Sequence, residues 1–193
     1  MEKIIKLSLI ISFLITPSCA PISSFTSIVG NASISEKGFA KTVEDTVLMS
    51  KIIARLSGLE VSNLTKIKLS ITYGQVLIVG FAESQEKRLK IIDEIWRFKD
   101  VTKIYNEIEI GKAPNFSELA EDLYLETKLK SMLLFESGVM SNNYSINVVK
   151  KKAYVMGIAS SLDEKSIVEQ FFKNQREIRK LITIILLSRQ TNG

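Results

Sequence analysis

Few side chains in this sequence could carry out catalysis or hold a metal ion. The 193 residues include no histidine and a single cysteine, Cys19, which excludes histidine-dependent nucleophilic catalysis, Cys/His zinc sites and an intramolecular disulfide. The acid pairs Glu121-Asp122 and Asp163-Glu164 each join neighbours that point about 100° apart on a helix. We expect these acids to interact with helix dipoles rather than to form a hydrolase site. The sequence predicts a protein that is not an enzyme and needs no cofactor or metal.

An export signal precedes the single cysteine. A short basic start is followed by an apolar run at residues 7–15, which is shorter than the roughly 20 residues that cross a bilayer. This pattern predicts a signal peptide over residues 1–18. The residues that end it are similar to the lipobox of bacterial lipoproteins, in which the cysteine is acylated: Thr16-Pro17-Ser18-Cys19.

That resemblance implies a lipid anchor at Cys19. Ala20 follows in place of the Asp that would resemble a signal for inner-membrane retention, so the expected location is the periplasmic face of the outer membrane. The alternative is a cysteine that stays unmodified in a cleaved signal. Residues 19–41 are rich in Ser, Thr, Ala and Gly without periodicity, and we interpret them as the lipidated Cys followed by a flexible tether.

The charge balance suggests an acidic partner surface. Lys and Arg number 26 against 21 Asp and Glu, for a net charge of +5, which is modest for a nucleic-acid-binding protein. We therefore expect no nucleic-acid partner. An anionic surface such as a lipid membrane fits this mild excess better.

The rest of the chain contains an internal repeat of one unit. A shift of 77 residues places Gly80 on Gly157, without a gap, and internal repetition of this kind decides the fold ahead of any local motif. The predicted units are residues 42–111 and 116–189, with a linker at 112–115 and a tail at 190–193. A linker this short requires the two units to touch.

Each unit has the pattern helix, hairpin, helix, strand. In the first unit Thr42 is expected to cap the first helix, Ser84 caps the second, and Trp96 is expected in the core. Gly80 and Gly157 interrupt apolar strands, and we interpret both as structural glycines that allow a helix to pack across the sheet. The fold class is α+β, with each α-β-β-α-β unit carrying two helices on a small three-stranded mixed sheet.

These residues resemble the BON domain. The resemblance is carried by two hairpin segments, each between an amphipathic helix and a Ser-capped one, and covers almost all of residues 45–187: Tyr73-Gly74-Gln75-Val76-Leu77-Ile78-Val79-Gly80 and Ala153-Tyr154-Val155-Met156-Gly157. Two such domains behind a lipobox are similar to the dual-BON outer-membrane lipoproteins. The second hairpin departs from the usual Asn-Gly or Tyr-Gly turn, because lysines occupy positions 150–152.

The resemblance implies that the protein binds anionic phospholipid and supports outer-membrane integrity. In that family the first helix of the second domain meets the membrane, and Tyr124 occupies the position of an aromatic anchor. Helical geometry places the neighbouring residues of this helix off the core face. The predicted lipid-binding residues are Leu123, Tyr124, Thr127, Lys128, Lys130, Ser131, Leu134 and Phe135.

Two alternatives concern the same surfaces. The apolar flank of this helix could be where the two units pack, since the first unit also has off-core apolar residues, Met49 and Ile53. The protein could instead be an adaptor that binds an envelope assembly or division partner through this helix or a strand edge. The lysines at 150–152 could extend an anionic contact or be merely solvated.

Overall fold

Two helices and three strands recur in the same order in each half of the chain. The computed structural model describes residues 39–58 and 67–188. The predicted signal peptide, Cys19, most of the tether and the tail lie outside the described residues. The first half contains α1 (Phe39–Ser57), β1 (Ile67–Thr72), β2 (Gln75–Ala82), α2 (Gln85–Trp96) and β3 (Lys103–Ile110).

The second half repeats this order after a short connection. One turn of 3-10 helix, Ser141–Asn143, is added before its first strand. The elements are α3 (Phe116–Leu134), β4 (Tyr144–Val149), β5 (Lys152–Ala159), α4 (Leu162–Lys173) and β6 (Lys180–Leu187).

The strands form two three-stranded mixed sheets in the orders β1-β2-β3 and β4-β5-β6. In each sheet the first two strands are an antiparallel hairpin, and the third lies parallel to the second because α2 or α4 supplies the crossover. The register repeats as well, since Ile67 lies opposite Gly80 and Tyr144 opposite Gly157. The prediction of an α+β protein with four helices and two mixed sheets is confirmed.

Each sheet packs its helices on one face. Leu48, Ile52 and Leu56 of α1 join Ile91 and Ile95 of α2 in the first core. The second core is built the same way on α3 and α4, with these buried residues from the helices: Leu125, Leu129, Leu133, Val168, Phe171 and Phe172.

The opposite faces of the two sheets share a third core. Leu77, Val79 and Phe81 of β2 cluster with Tyr154 and Met156 of β5, and Val149 and Ile184 join them. The order of layers is therefore helices, sheet, sheet, helices. The units pack through these sheet faces, so the alternative in which the outer flank of α3 forms their contact is wrong.

Polar contacts also connect the two sheets. Asn147 Nδ2 donates to Ser70 Oγ at 2.8 Å, and these residues are equivalent under the 77-residue shift. Lys68 Nζ of β1 donates to Glu126 Oε2 at 2.6 Å and to the Val148 carbonyl at 3.0 Å. The Val148 N–H donates to Glu126 Oε2 in turn, at 3.0 Å. These contacts fix how the sheets sit on each other.

Two expectations about the first unit are wrong. Helix α1 is already formed at Phe39, so Thr42 lies inside the helix rather than at its cap, and the predicted boundary between tether and first unit at 41/42 falls within a helix. Trp96 is half exposed at the end of α2. Ile91 and Ile95 already fill the core face, and Trp96 points about 100° away from its neighbour Ile95. The predicted cap by Ser84 is confirmed, since its side chain accepts from Lys87 N.

Both hairpins end in left-handed two-residue turns that a helix carboxylate stabilises. Tyr73 and Gly74 have φ of 53° and 70°, and Lys150 and Lys151 have φ of 48° and 58°, so the lysine turn adopts the backbone of the first one. The carboxylate of Asp122 accepts from the N–H groups of Lys150 and Lys151 at 2.6 and 2.9 Å. Asp45 accepts in the same way from the first turn. Asp122 is thus a buried turn anchor, not a first-turn acid.

The two strand glycines are required for reasons other than helix packing. A Cβ on Gly157 would lie 2.3 Å from the Asn143 carbonyl oxygen and 2.7 Å from Tyr144 Cδ1. The neighbouring strand therefore approaches too closely for any side chain. Gly80 has φ of 145°, a conformation that favours glycine.

Candidate lipid-binding helix

Helix α3 is held in place by its cap and by one buried face. The Asn115 side chain accepts from Glu118 N at 3.0 Å, and the Glu118 carboxylate accepts from Asn115 N at 2.8 Å, which is a capping box. Leu125, Leu129 and Leu133 enter the core. Because these contacts fix the rotation of the helix, they decide which side chains face outward.

The outward face of α3 exposes large apolar side chains in its first half and at its end. Five large apolar side chains on it are 61–88% exposed, and they run from the first residue of the helix to the residue just after its end: Phe116, Leu123, Tyr124, Leu134 and Phe135. Thr127 and Ser131 are also exposed and lie among them. None of these seven side chains carries a charge.

The structure therefore brings six of the eight predicted residues onto one uncharged surface. We name this surface the α3 outer face; it comprises Phe116, Leu123, Tyr124, Thr127, Ser131, Leu134 and Phe135. Phe116 was not among the predicted residues. The sequence did contain a signal for it. Phe116 directly follows the N-cap Asn115 and precedes the residues with core-facing helical spacing, so it has no buried position to occupy.

The two predicted lysines flank this face and are paired with acids. Lys128 Nζ donates to Glu177 Oε2 at 2.6 Å, and this hydrogen bond raises the pKa of Lys128. Lys130 Nζ donates to Glu126 Oε1 at 2.7 Å. Burial raises the pKa of Glu126, but the hydrogen bonds from Lys130 and Lys68 outweigh burial and hold that pKa below its usual value. A neighbouring carboxylate therefore partly offsets the positive charge of each lysine.

The lysines of the second hairpin are engaged as well. Lys150 Nζ lies 4.4 Å from the centre of the Phe81 ring, and Lys151 Nζ lies 3.0 Å from Glu121 Oε2. Lys152 pairs with Glu109 of the first unit. All three bind within the fold, so they are more than solvated charges and are not a free cationic patch.

The equivalent helix of the first unit keeps only part of this apolar face. Under the 77-residue shift Phe116 corresponds to Phe39 and Tyr124 to Val47, which are also apolar, whereas polar residues or glycine replace the other three: Leu123 corresponds to Thr46, Leu134 to Ser57 and Phe135 to Gly58. Both helices occupy the same place on the same kind of sheet. The apolar outer residues of α3 are therefore not something the fold needs.

A shallow groove of about 210 Å³ lies beside Tyr124, lined also by Glu121, Leu125, Lys151 and Glu177. This volume is below the range of roughly 300–1,000 Å³ that small-ligand pockets occupy. The exposed side chains of the α3 outer face stand on a convex helix, so the arrangement suits contact with a surface.

Neither a metal centre nor a membrane-spanning helix is found in the described part of the chain. Within residues 39–58 and 67–188, no group of three His, Cys, Asp or Glu side chains could hold a metal ion. No helix in the same ranges combines the length and apolar character needed to cross a membrane. Glu164 is buried and accepts from Ser160, Met140 N and Tyr144, so this acid supports the local fold.

Comparison with known proteins identifies a BON domain in the first unit. The profile of the BON domain matches residues 44–112. An uncharacterised protein in the gshII 5′ region of Anaplasma centrale is 30% identical over 146 residues, which cover 75% of this chain and 95% of that protein. A 21 kDa hemolysin of Actinobacillus pleuropneumoniae is 25% identical over 144 residues, or 74% of each protein.

Among solved structures, CdsD, a structural protein of the Type III secretion system of Chlamydia trachomatis, shows 12% identity and a TM-score of 0.28. The alignment covers 73% of this chain and 92% of that one, and a likeness of this strength says nothing about function. The profile match and the Anaplasma relative suffice to place the sequence: this chain belongs to the BON-domain family.

Proposed function

We propose that this protein binds anionic phospholipid through the α3 outer face, has no catalytic role, and supports outer-membrane integrity. BON domains bind phospholipid in general, which makes lipid the first partner to consider. The observation that carries the proposal is the uncharged, exposed apolar surface of α3, where Leu123, Leu134 and Phe135 stand in place of Thr46, Ser57 and Gly58 of α1.

The physical basis is partial transfer of apolar side chains out of water. Complete burial of a Leu or Phe side chain is worth about 1.5–3 kcal/mol. The α3 outer face carries two Leu and two Phe side chains, together with Tyr124. A lysine close to an anionic surface adds about 1 kcal/mol, and Lys128 and Lys130 are already paired. Apolar contact therefore supplies most of the affinity for lipid, and the positive charge of the protein favours anionic over uncharged membranes.

The overall charge of the second unit supports an anionic surface. Residues 117–189 contain eleven Lys and Arg against nine Asp and Glu, whereas residues 43–111 contain ten of each. Tyr124 suits an interface, because its ring is apolar and its hydroxyl can remain among the headgroups.

The proposed anchor is an acylated Cys19, with the residues between it and α1 as tether on the periplasmic side of the outer membrane. An anchored protein meets lipid at a high effective concentration, so a weakly binding helix is sufficient. We further propose that the two halves of the chain, the first from α1 to residue 111 and the second from residue 116 to 189, are tandem BON domains joined by residues 112–115. The two equivalent α-β-β-α-β units support this division.

Vesicle sedimentation tests the lipid partner. The chain from residue 20 onward lacks both the signal and the anchor, so any binding comes from the folded part. We expect it to sediment with vesicles that contain phosphatidylglycerol or cardiolipin, and much less with pure phosphatidylcholine. Absence of binding at every lipid composition would contradict the proposal and favour an adaptor that binds an envelope protein.

The anchor is tested separately by mass analysis of the N-terminus. In bacteria expressing the full chain we expect a mass increase at Cys19 from acylation. Globomycin, which inhibits lipoprotein signal peptidase, should cause the uncleaved precursor to accumulate. An unmodified Cys19 would remove the anchor from the proposal without affecting the α3 outer face.

A further inference from the structure

The two sheets have four edge strands, and two of these edges are already covered. β1 and β4 meet where the sheets pack, through Ser70 and Asn147. The N–H of Val148 on β4 is bound by Glu126, and its carbonyl oxygen is bound by Lys68. This part of β4 therefore presents no free backbone groups to another strand, and β1 lies beside it.

The third edge, β3, is protected by charge. Among the described strands it pairs with β2 alone, and its residues include Lys103, Glu107 and Glu109. Charged side chains on an edge strand oppose pairing with another chain, because they would have to be desolvated.

The fourth edge, β6, keeps only the charge at its first residue, Lys180. Among residues 39–58 and 67–188 it pairs only with β5, and no described side chain forms a hydrogen bond with its backbone. Under the 77-residue shift Glu107 is replaced by Ile184 and Glu109 by Leu186. The run Leu181 to Leu187 is free of charge, proline and glycine, so β6 is an open template for another strand.

Both faces of β6 continue an apolar layer. Ile185 and Leu181 belong to the core under α3 and α4, and Ile184 and Ile182 belong to the core between the sheets. A strand added beside β6 would extend both layers, so it must be apolar on both faces. A strand that alternates polar and apolar residues would place its polar side in one of these cores.

We infer that β6 pairs with β6 of a second copy of this chain, antiparallel and about a two-fold axis. The strand itself meets this requirement, since residues Leu181 to Leu187 carry no charge and all except Thr183 are apolar. A two-fold axis perpendicular to the sheet keeps the helices of both copies on one side, and it brings residues that share a face opposite each other. With the axis at Ile184, Leu181 lies opposite Leu187 of the second copy.

The single charge of the strand selects the direction. In an antiparallel pair the two Lys180 side chains lie at opposite ends, whereas a parallel in-register pair would place them side by side. The product is a six-stranded sheet with β6 and its copy at the centre.

Cysteine cross-linking of the full chain, purified in mild detergent, tests the contact. Thr183→Cys places a thiol one residue from the axis, and Asn106→Cys is its equivalent on β3. We expect a short bis-maleimide to link Thr183→Cys into dimers and to give no dimer with Asn106→Cys. The wild-type chain, whose only cysteine is Cys19, shows how much cross-linking Cys19 itself produces, and we expect none. Equal cross-linking at positions 183 and 106 would overturn the inference.

A matched pair of charge substitutions supplies the second measurement. Leu187 and Ile110 are equivalent and similarly exposed, at 43% and 47%, so a glutamate at either position leaves the cores intact. In sedimentation velocity we expect Leu187→Glu to weaken dimerisation at least about tenfold, since a carboxylate would face Leu181 of the partner copy, and Ile110→Glu to have no effect. A wild-type chain that stays monomeric at high concentration would overturn the inference and leave the edge to a different strand.

Discussion

Lys128 Nζ donates a hydrogen bond to Glu177 Oε2 at 2.6 Å. This lysine flanks the α3 outer face, and its pairing with an acid limits what it can offer to a phosphate group. The pair is exposed, and exposed pairs contribute little to stability. The balance between its two charges still bears on how the second unit meets an anionic surface.

The first prediction concerns this pair. We expect Lys128→Ala to weaken binding to anionic vesicles only slightly, within about threefold, because the lysine gives little beyond what Glu177 already takes. Glu177→Ala should strengthen binding by a similar factor, since it frees the lysine. Vesicle titrations at low and at physiological salt measure both effects. A large loss of binding in Lys128→Ala would show that the lysine, rather than the apolar face, carries the interaction.

The second prediction concerns Tyr124. A glutamate in its place would bring a charge into the apolar contact and would meet the like charge of the lipid. We expect Tyr124→Glu to weaken binding to anionic vesicles at least tenfold, or about 1.4 kcal/mol. Val47→Glu at the equivalent position of α1 is the control and should bind like the wild type. Equal losses from the two substitutions would indicate a general charge effect.

The third prediction concerns pH and the joint between the units. The pKa of Glu126 in the folded protein lies below its ordinary value of 4.5, so its ionised form favours folding. That contribution is present above about pH 4.5 and is lost as the pH falls through the lower folded pKa.

We expect Glu126→Gln to be less stable at pH 7, and to lose less further stability than the wild type between pH 5 and pH 3. Thermal unfolding over this range measures the difference. The variant should still lose some stability over this range, because Glu164 and Glu94, which both proteins contain, also have lowered pKa values. Parallel pH profiles for the two proteins would contradict the role assigned to Glu126.

The fourth prediction concerns the lysine turn. Lys151 has φ of 58°, a backbone conformation that costs residues other than glycine about 1–2 kcal/mol. Lys151→Gly should therefore raise the free energy of unfolding by about 1 kcal/mol, even though it removes the exposed pair with Glu121. Asp122→Ala should lower it by about 2 kcal/mol, because the N–H groups of Lys150 and Lys151 lose their acceptor. Urea unfolding measures both; a destabilised Lys151→Gly would contradict this view of the turn.

Much of the fold could be predicted from the sequence, because local patterns and the repeat point the same way. Residues such as Leu48, Ile52 and Leu56 follow helical spacing, and the 77-residue shift assigns the same elements to the second half. Trp96 was misplaced because helical spacing does not say which of two neighbouring apolar positions faces the core. The reason for Gly157 lies in the approach of Asn143, which no local pattern reveals.

The site was predictable in part. The exposed residues of α3 follow from helical geometry once its core face is known. The partners of its lysines do not, because Glu177 is 49 residues away from Lys128 in sequence. The sequence also does not predict that the two sheets pack on each other through residues such as Leu77 and Tyr154. A buried strand is apolar on both faces whether a helix or a second sheet covers it.

The most direct test of the central claim is the environment of α3 on a membrane. A bimane label at Leu134→Cys reports on the α3 outer face, and a label at Ser57→Cys, its equivalent at the end of α1, is the control; both use the chain from residue 20 onward, which contains no other cysteine. We predict that anionic vesicles shift the emission of the label at position 134 to shorter wavelength and leave that at position 57 unchanged. An unshifted label at position 134 on vesicles that the protein demonstrably binds would contradict the assignment of lipid contact to α3.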